Sequence, residues 1–164
     1  MTAPTRGPLR VLVLCTGNSA RSQIAEALIN RKGAGRVVAG SAGSAPAARV
    51  NPLAVRVLGE AGIDWTGHQP QGIDAVFNDP WDIIITVCDR ARESCPVFPG
   101  RPMTAHWGMP DPAAVEGDDA RKLKAFQDAF TLLNRRVDLL LAVPVDKLER
   151  LALEQRVRHI GTEG

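Results

Sequence analysis

The chain has 164 residues, which fits a single domain (1–164), and its 45% hydrophobic content is enough for one core. A formal net charge of +2, with lysine and arginine spread along the chain, excludes the basic stripe of a dedicated nucleic-acid binder. No apolar run approaches the roughly 20 residues of a membrane helix, and the run 11–14 is too short for a signal peptide, so a cytoplasmic chain with neither membrane nor nucleic-acid partner is expected.

Leu9–Cys15 reads as a buried strand. Residues 22–32 carry Ile24, Ala27 and Leu28 at helical spacing, with Gly33 as a stop. Residues 36–41 suggest a second strand. Asn51 and Pro52 read as an N-cap and a first helical residue; Ala54, Val57, Leu58 and Ala61 mark the apolar face, and Gly62 ends the helix. Residues 73–77 suggest a short helix, and residues 81–88, with Ile83, Ile84 and Ile85, a strong strand. Leu123, Phe126, Phe130, Leu133, Val137 and Leu140 step by three and four and predict the longest helix. Pro144 interrupts it. Val145, Leu148, Leu151 and Ala152 then predict an extra terminal helix over 145–158. Apolar strands alternating with helices define an α/β fold: an open parallel sheet of about four strands with helices on both faces. Ligands of such sheets bind at the carboxyl ends of the strands.

At the end of the first strand stands Cys-Thr-Gly-Asn-Ser-Ala-Arg-Ser, with five residues between Cys15 and Arg21. A short loop entering a helix can aim several backbone N–H groups into one concavity, which makes an anion site. Thr16, Gly17, Asn18, Ser19, Ala20, Arg21 and Ser22 are therefore candidate oxyanion-binding residues. Gly17 is expected to take backbone angles closed to other residues. Arg21 offers a planar fork of donors to two oxygens. The same positive field favours the thiolate form of a cysteine, which suits Cys15 to nucleophilic attack. Ser22 is placed to donate to its sulfur. A buried strand-end cysteine before an ordinary helix is the plainer alternative, disfavoured by the glycine, arginine and serine that follow.

Three cysteines suit a disulfide scaffold poorly. Cys88 and Cys95 close the second strong strand and a polar segment, with six residues between them. In a helix, positions seven apart lie about 10 Å apart along the axis. A disulfide needs Cα atoms within roughly 7 Å, so this pair can bond only if the segment unwinds. Two unrelated buried cysteines, or a zinc site completed by His106, are the alternatives; the spacing matches no common structural zinc pattern. Farther on, His-Trp-Gly-Met-Pro-Asp-Pro holds Asp111 between two prolines. A turn aspartate is the plain reading. A carboxyl facing a bound anion holds its proton more readily, so Asp111 is also a candidate general acid.

The stretch from Cys15 to Ser22 resembles the signature loop of the low-molecular-weight tyrosine phosphatase superfamily, and the resemblance runs from the first strand to about Leu141. It implies that fold, a loop wrapped around phosphate or arsenate (with sulfate as an analogue), and a cysteine that attacks the anion. Asp111-Pro112 resembles the family's acid loop. A second loop cysteine common in the phosphatases is Ala20 here. Their aromatic residue after Asp-Pro is Ala113, and the chain has no tyrosine. Cys88 and Cys95, with His-Trp-Gly ahead of Asp111, instead resemble the thioredoxin-coupled arsenate reductases.

That resemblance implies a relay. Cys15 attacks arsenate, Asp111 protonates the departing oxygen, Cys88 attacks Cys15 as arsenite leaves, and Cys95 attacks Cys88. The Cys88–Cys95 disulfide is then reduced by thioredoxin or another thiol. No cofactor is required and a monomer suffices. Some reductases of this family hold a potassium ion beneath the loop; Asn18, Glu26 and Ser41 match that pattern, with uncharged Gln71 near the remaining acidic ligand. Two other functions compete: a phosphatase of phosphotyrosine or small aryl phosphates, and a non-enzymatic redox or oxyanion sensor, for which a general acid would have no use.

Overall fold

A computed structural model describes residues 7–144 and 150–162. The strands β1 (Leu9–Cys15), β2 (Val37–Gly43), β3 (Ile83–Thr86) and β4 (Met103–His106) form one parallel sheet in the order β2-β1-β3-β4. Between and after them run α1 (Arg21–Gly33), α2 (Pro52–Glu60), α3 (Asp89–Ser94), α4 (Asp119–Ala142) and α5 (Arg150–Ile160). Short 3-10 turns stand at Ile73–Ala75 and Pro112–Ala114.

Strand alternation sends side chains to both faces. Leu9, Val11, Val13, Ile83 and Ile85 join the larger core with residues of α1, α2, α4 and α5, including Phe126, Leu133, Val137, Leu140, Leu153 and Val157. Leu12, Leu14 and Ile84 face the smaller core with Val76, Trp81, Ala91 and Phe98. Both faces are thus covered, as a parallel sheet requires.

Several elements differ from the sequence expectation. The strand expected over 81–88 is paired only over Ile83–Thr86, and the short helix at 73–77 is a 3-10 turn. Strand β4 carried no forecast of its own, because Met103–His106 is brief and half exposed along its length. Asn51 caps α2 as expected, accepting from Leu53 N at 2.9 Å, a contact type that contributes about 1 kcal/mol. In the terminal region, Val145 and Leu148 lie outside the described residues; α5 runs Arg150–Ile160 and puts Leu153, Val157 and Ile160 into the main core.

The topology decides where a ligand can sit. From β1 the chain moves to β2 on one side, then returns across β1 to β3 on the other. The crevice beyond the carboxyl ends of β1 and β3 is the point where winding reverses, the usual binding position in such sheets. Cys15 ends β1, and Cys88 lies two residues beyond β3.

Candidate active site

The loop after β1 is held from behind. The carbonyls of Thr16, Gly17 and Ser19 accept from Ala45 N, Ala47 N and Asn51 N at 2.7–2.9 Å. The Asn18 carbonyl accepts from Gln23 Nε2 at 3.0 Å. In a trans peptide the following N–H points opposite to the carbonyl. The N–H groups of Gly17, Asn18, Ser19 and Ala20 therefore face away from these supports, the arrangement of an anion cradle. Gly43 makes the close approach possible: a Cβ there would lie 2.3 Å from the Thr16 carbonyl oxygen.

The unusual backbone position is Asn18, with φ of 51°, and not Gly17 as the sequence suggested. Asparagine enters this left-handed region more readily than most residues, and here its side chain is fully bonded. Asn18 Nδ2 donates to Ser22 Oγ and Ser41 Oγ, both at 2.8 Å. Its Oδ1 accepts from Gln71 N at 2.9 Å and Gln23 Nε2 at 3.1 Å. Trp65 Nε1 in turn donates to Gln23 Oε1 at 2.9 Å. Gln23 and Trp65 were not picked out from the sequence, and Gln71 was noted only beside the potassium pattern. Gln23 sits on the buried face of α1, where apolar periodicity gives a polar residue no weight.

Cys15 is buried, and Ser22 Oγ donates to its sulfur at 3.4 Å. Thr16 Oγ1 and Cys88 Sγ are also 3.4 Å apart, so the first cysteine's neighbour touches the second cysteine. Cys88 caps α3, its sulfur accepting from Ala91 N at 3.4 Å; Cys95 ends the same helix. All three thiols are free. Burial pushes the Cys95 thiol up from its ordinary range. A cleft of about 880 Å³ opens beside Cys95, with Thr86, Pro96, Phe98, Arg101 and His106 in its walls. Among the described residues no three His, Cys, Asp or Glu side chains converge as metal ligands, which leaves the zinc alternative without a site.

Arg21 and Asp111 meet at the mouth of the loop. Arg21 Nη2 lies 3.8 Å from Asp111 Oδ2, while Nη1 donates to the Met109 carbonyl at 3.1 Å. Asp111 Oδ1 accepts from Ala113 N at 2.9 Å. One oxygen caps the turn, as the plain reading expects, and the other faces the arginine.

Asn18, Glu26 and Ser41 also come together. Ser41 Oγ donates to Glu26 Oε1 at 2.6 Å, and the Ser41 carbonyl accepts from Gln71 Nε2 at 2.9 Å. Burial raises Glu26 above the usual carboxylate range, against the lowering effects of Ser41 and His68. A cation needs several free oxygens. Here amide and hydroxyl donors engage the Asn18 and Ser41 oxygens and Oε1 of Glu26, so a potassium ion would have to displace them.

The sequence matches the pattern of the low molecular weight phosphotyrosine protein phosphatases over residues 10–156, and the chain belongs to that family. Within it, the chain is similar to arsenate reductases. It is 36% identical over 133 residues to the arsenate reductase of Halalkalibacterium halodurans, covering 77% of this chain and 91% of that protein. A solved arsenate reductase in its oxidised state superposes with a TM-score of 0.68 at 28% identity, covering 81% of this chain and 96% of the other. A thioredoxin-dependent arsenate reductase of Corynebacterium glutamicum gives a TM-score of 0.57 at 27% identity, covering 82% of this chain and 64% of the other.

Proposed function

We propose that this chain reduces arsenate to arsenite, using Cys15 as nucleophile and Cys88 and Cys95 to carry away the oxidising equivalents. The observation that carries the reading is the position of Cys88. Its sulfur is in contact with Thr16 at the start of the oxyanion loop, and a phosphatase, which hydrolyses its intermediate with water, has no use for it there.

The oxyanion is held by the loop N–H groups and Arg21. The Cys15 thiolate forms a bond to arsenic, and one arsenate oxygen departs as water with a proton from Asp111. Cys88 then attacks the Cys15 sulfur. A sulfur–sulfur bond forms, the sulfur–arsenic bond breaks, and its electron pair stays on arsenic, which leaves as arsenite. Cys95 attacks Cys88 and releases the Cys15 thiolate. The Cys88–Cys95 disulfide forms at the edge of the cleft beside Cys95, where an external thiol can reach it; thioredoxin is the expected reductant. Electrons come from thiols throughout, so no cofactor takes part, and no step passes through potassium. One chain supplies every group, so a monomer suffices. A reducing compartment such as the cytoplasm keeps the three cysteines ready.

The test is arsenate-dependent NADPH oxidation with thioredoxin and its reductase, run beside hydrolysis of 4-nitrophenyl phosphate. The proposal expects sustained oxidation matched by arsenite. Rapid ester hydrolysis without arsenite would make the chain a phosphatase instead.

A further inference from the structure

Asp111 belongs to a segment anchored at both ends by an arginine. At its far end Arg21 holds the Met109 carbonyl and faces the carboxylate. At its near end stands Arg136 of α4, a charged residue only 5% exposed. Its Nη1 donates to the carbonyls of Trp107 and Gly108 at 3.0 and 3.1 Å, and its Nη2 to the Gly161 carbonyl at 3.3 Å. Arg136 sits one turn from Leu133 and Leu140, on the face of α4 that enters the core.

Helix α5 closes the same junction. Trp107 is wholly buried, and its Nε1 donates to the Val157 carbonyl at 3.1 Å. Arg158 Nε donates to the Thr104 carbonyl at 2.9 Å. The chain after α5 passes so near the loop that a Cβ on Gly161 would lie 2.1 Å from the His106 carbonyl oxygen. Three carbonyls from two segments thus converge on two nitrogens of one guanidinium, a planar spread of donors that the single nitrogen of a lysine does not match.

We infer that Arg136 is a positioning residue for Asp111, and that α5 with Gly161 is the brace against which it works. The inference rests on the reading of Asp111 as general acid. Arg136 touches neither Cys15 nor the oxyanion loop in any described contact. Its effect travels through the backbone of Trp107 and Gly108 to the segment that carries the acid. A misplacement of about 1 Å can cost a hundredfold in rate.

The experiment compares Arg136→Gln, Arg136→Lys and Gly161→Ala in the full chain, with two esters that differ in their need for a proton. A poor leaving group (phenyl phosphate) depends on the general acid; a good one (4-nitrophenyl phosphate) depends on it far less. Arg136→Gln should lose about tenfold more rate on the poor leaving group than on the good one. Gly161→Ala should show the same selective loss, and Arg136→Lys a smaller one. Phosphate should inhibit all three variants as it does the parent. Combined with Asp111→Asn, Arg136→Gln should add little, because both act through one proton transfer.

Equal losses on both esters, multiplying with Asp111→Asn, would make Arg136 a structural residue only and overturn the inference. If Asp111→Asn itself shows no leaving-group effect, the general-acid reading has failed. The brace is then read from hydrogen exchange of residues 107–111, which also serves if the parent hydrolyses neither ester. Faster exchange there in Arg136→Gln than in the parent supports it, and unchanged exchange overturns it.

Discussion

Thr16 Oγ1 lies 3.4 Å from Cys88 Sγ, within sulfur hydrogen-bonding distance. The contact follows from sheet register. Leu14 pairs with Thr86, and Val87 N donates to the Leu14 carbonyl at 3.0 Å. The two chains therefore leave adjacent parallel strands at one level and turn into α1 and α3 side by side. A disulfide relay needs such a meeting of segments 72 residues apart.

If Cys15 is the nucleophile that attacks the oxyanion, Cys15→Ser should abolish arsenate reduction and any ester hydrolysis together. Arg21→Lys should bind phosphate at least about tenfold more weakly, because lysine loses the planar two-oxygen fork. Calorimetric titration with phosphate measures this; unchanged affinity in Arg21→Lys would remove the case for the loop as an anion cradle.

Asp111→Asn leaves an oxygen to accept from Ala113 N, so the turn should keep its shape. Oxyanion affinity should then hold within about twofold while chemistry slows by roughly a hundredfold, the usual scale for a lost general acid. Single-turnover arsenite release is the measurement, since it is blind to slow disulfide reduction. A rate equal to that of the parent would reduce Asp111 to a turn residue.

Cys88 caps α3 and Cys95 ends it. The bond between them cannot close across an intact helix, so oxidation should unwind residues 89–94. Amides of that segment should exchange faster in the oxidised chain than in the reduced one, with mass spectrometry locating the disulfide. Equal protection in both states would mean that the pair does not bond.

Glu26 gives a pH dependence. Its folded-state pKa is raised by burial, so the folded chain holds this proton more tightly than the unfolded one. Its ionisation therefore costs stability progressively as pH rises from the unfolded carboxylate range through the folded value. Glu26→Gln keeps an oxygen for Ser41 and removes that cost. Melting should rise by on the order of 2 °C at pH 7–8 and stay unchanged near pH 4. A loss of stability at pH 7 in potassium chloride, absent in choline chloride, would show instead that Glu26 ligates a cation.

How much of this was legible in the sequence follows from range. Strand β1, helices α1, α2 and α4, and the oxyanion loop rest on local signals: an apolar run, 3.6-residue periodicity, a cap and a short motif. Cys15, Arg21 and Asp111 could be singled out because the chemistry proposed for them constrains residue type as well as place. The support beneath the loop was legible only in part, through Asn18, Glu26, Ser41 and Gln71. Gln23 and Gln71 bond Asn18 from two segments, Trp65 backs Gln23 from a third, and no spacing rule links them. Gly17 drew attention through glycine's freedom, while Asn18 took the left-handed position because four side-chain hydrogen bonds hold it there. Arg136 did leave a trace, as a charge at helical spacing from Leu133 and Leu140, which the apolar count passed over.

The three-cysteine relay is tested most directly by counting arsenite released per chain by Cys95→Ser, with thioredoxin and its reductase present. Cys15 and Cys88 suffice for the first electron transfer, so the variant should release about one arsenite per chain and stall as a Cys15–Cys88 disulfide, while the parent turns over repeatedly. Sustained turnover by Cys95→Ser would contradict the relay and leave a two-cysteine enzyme served by an outside thiol.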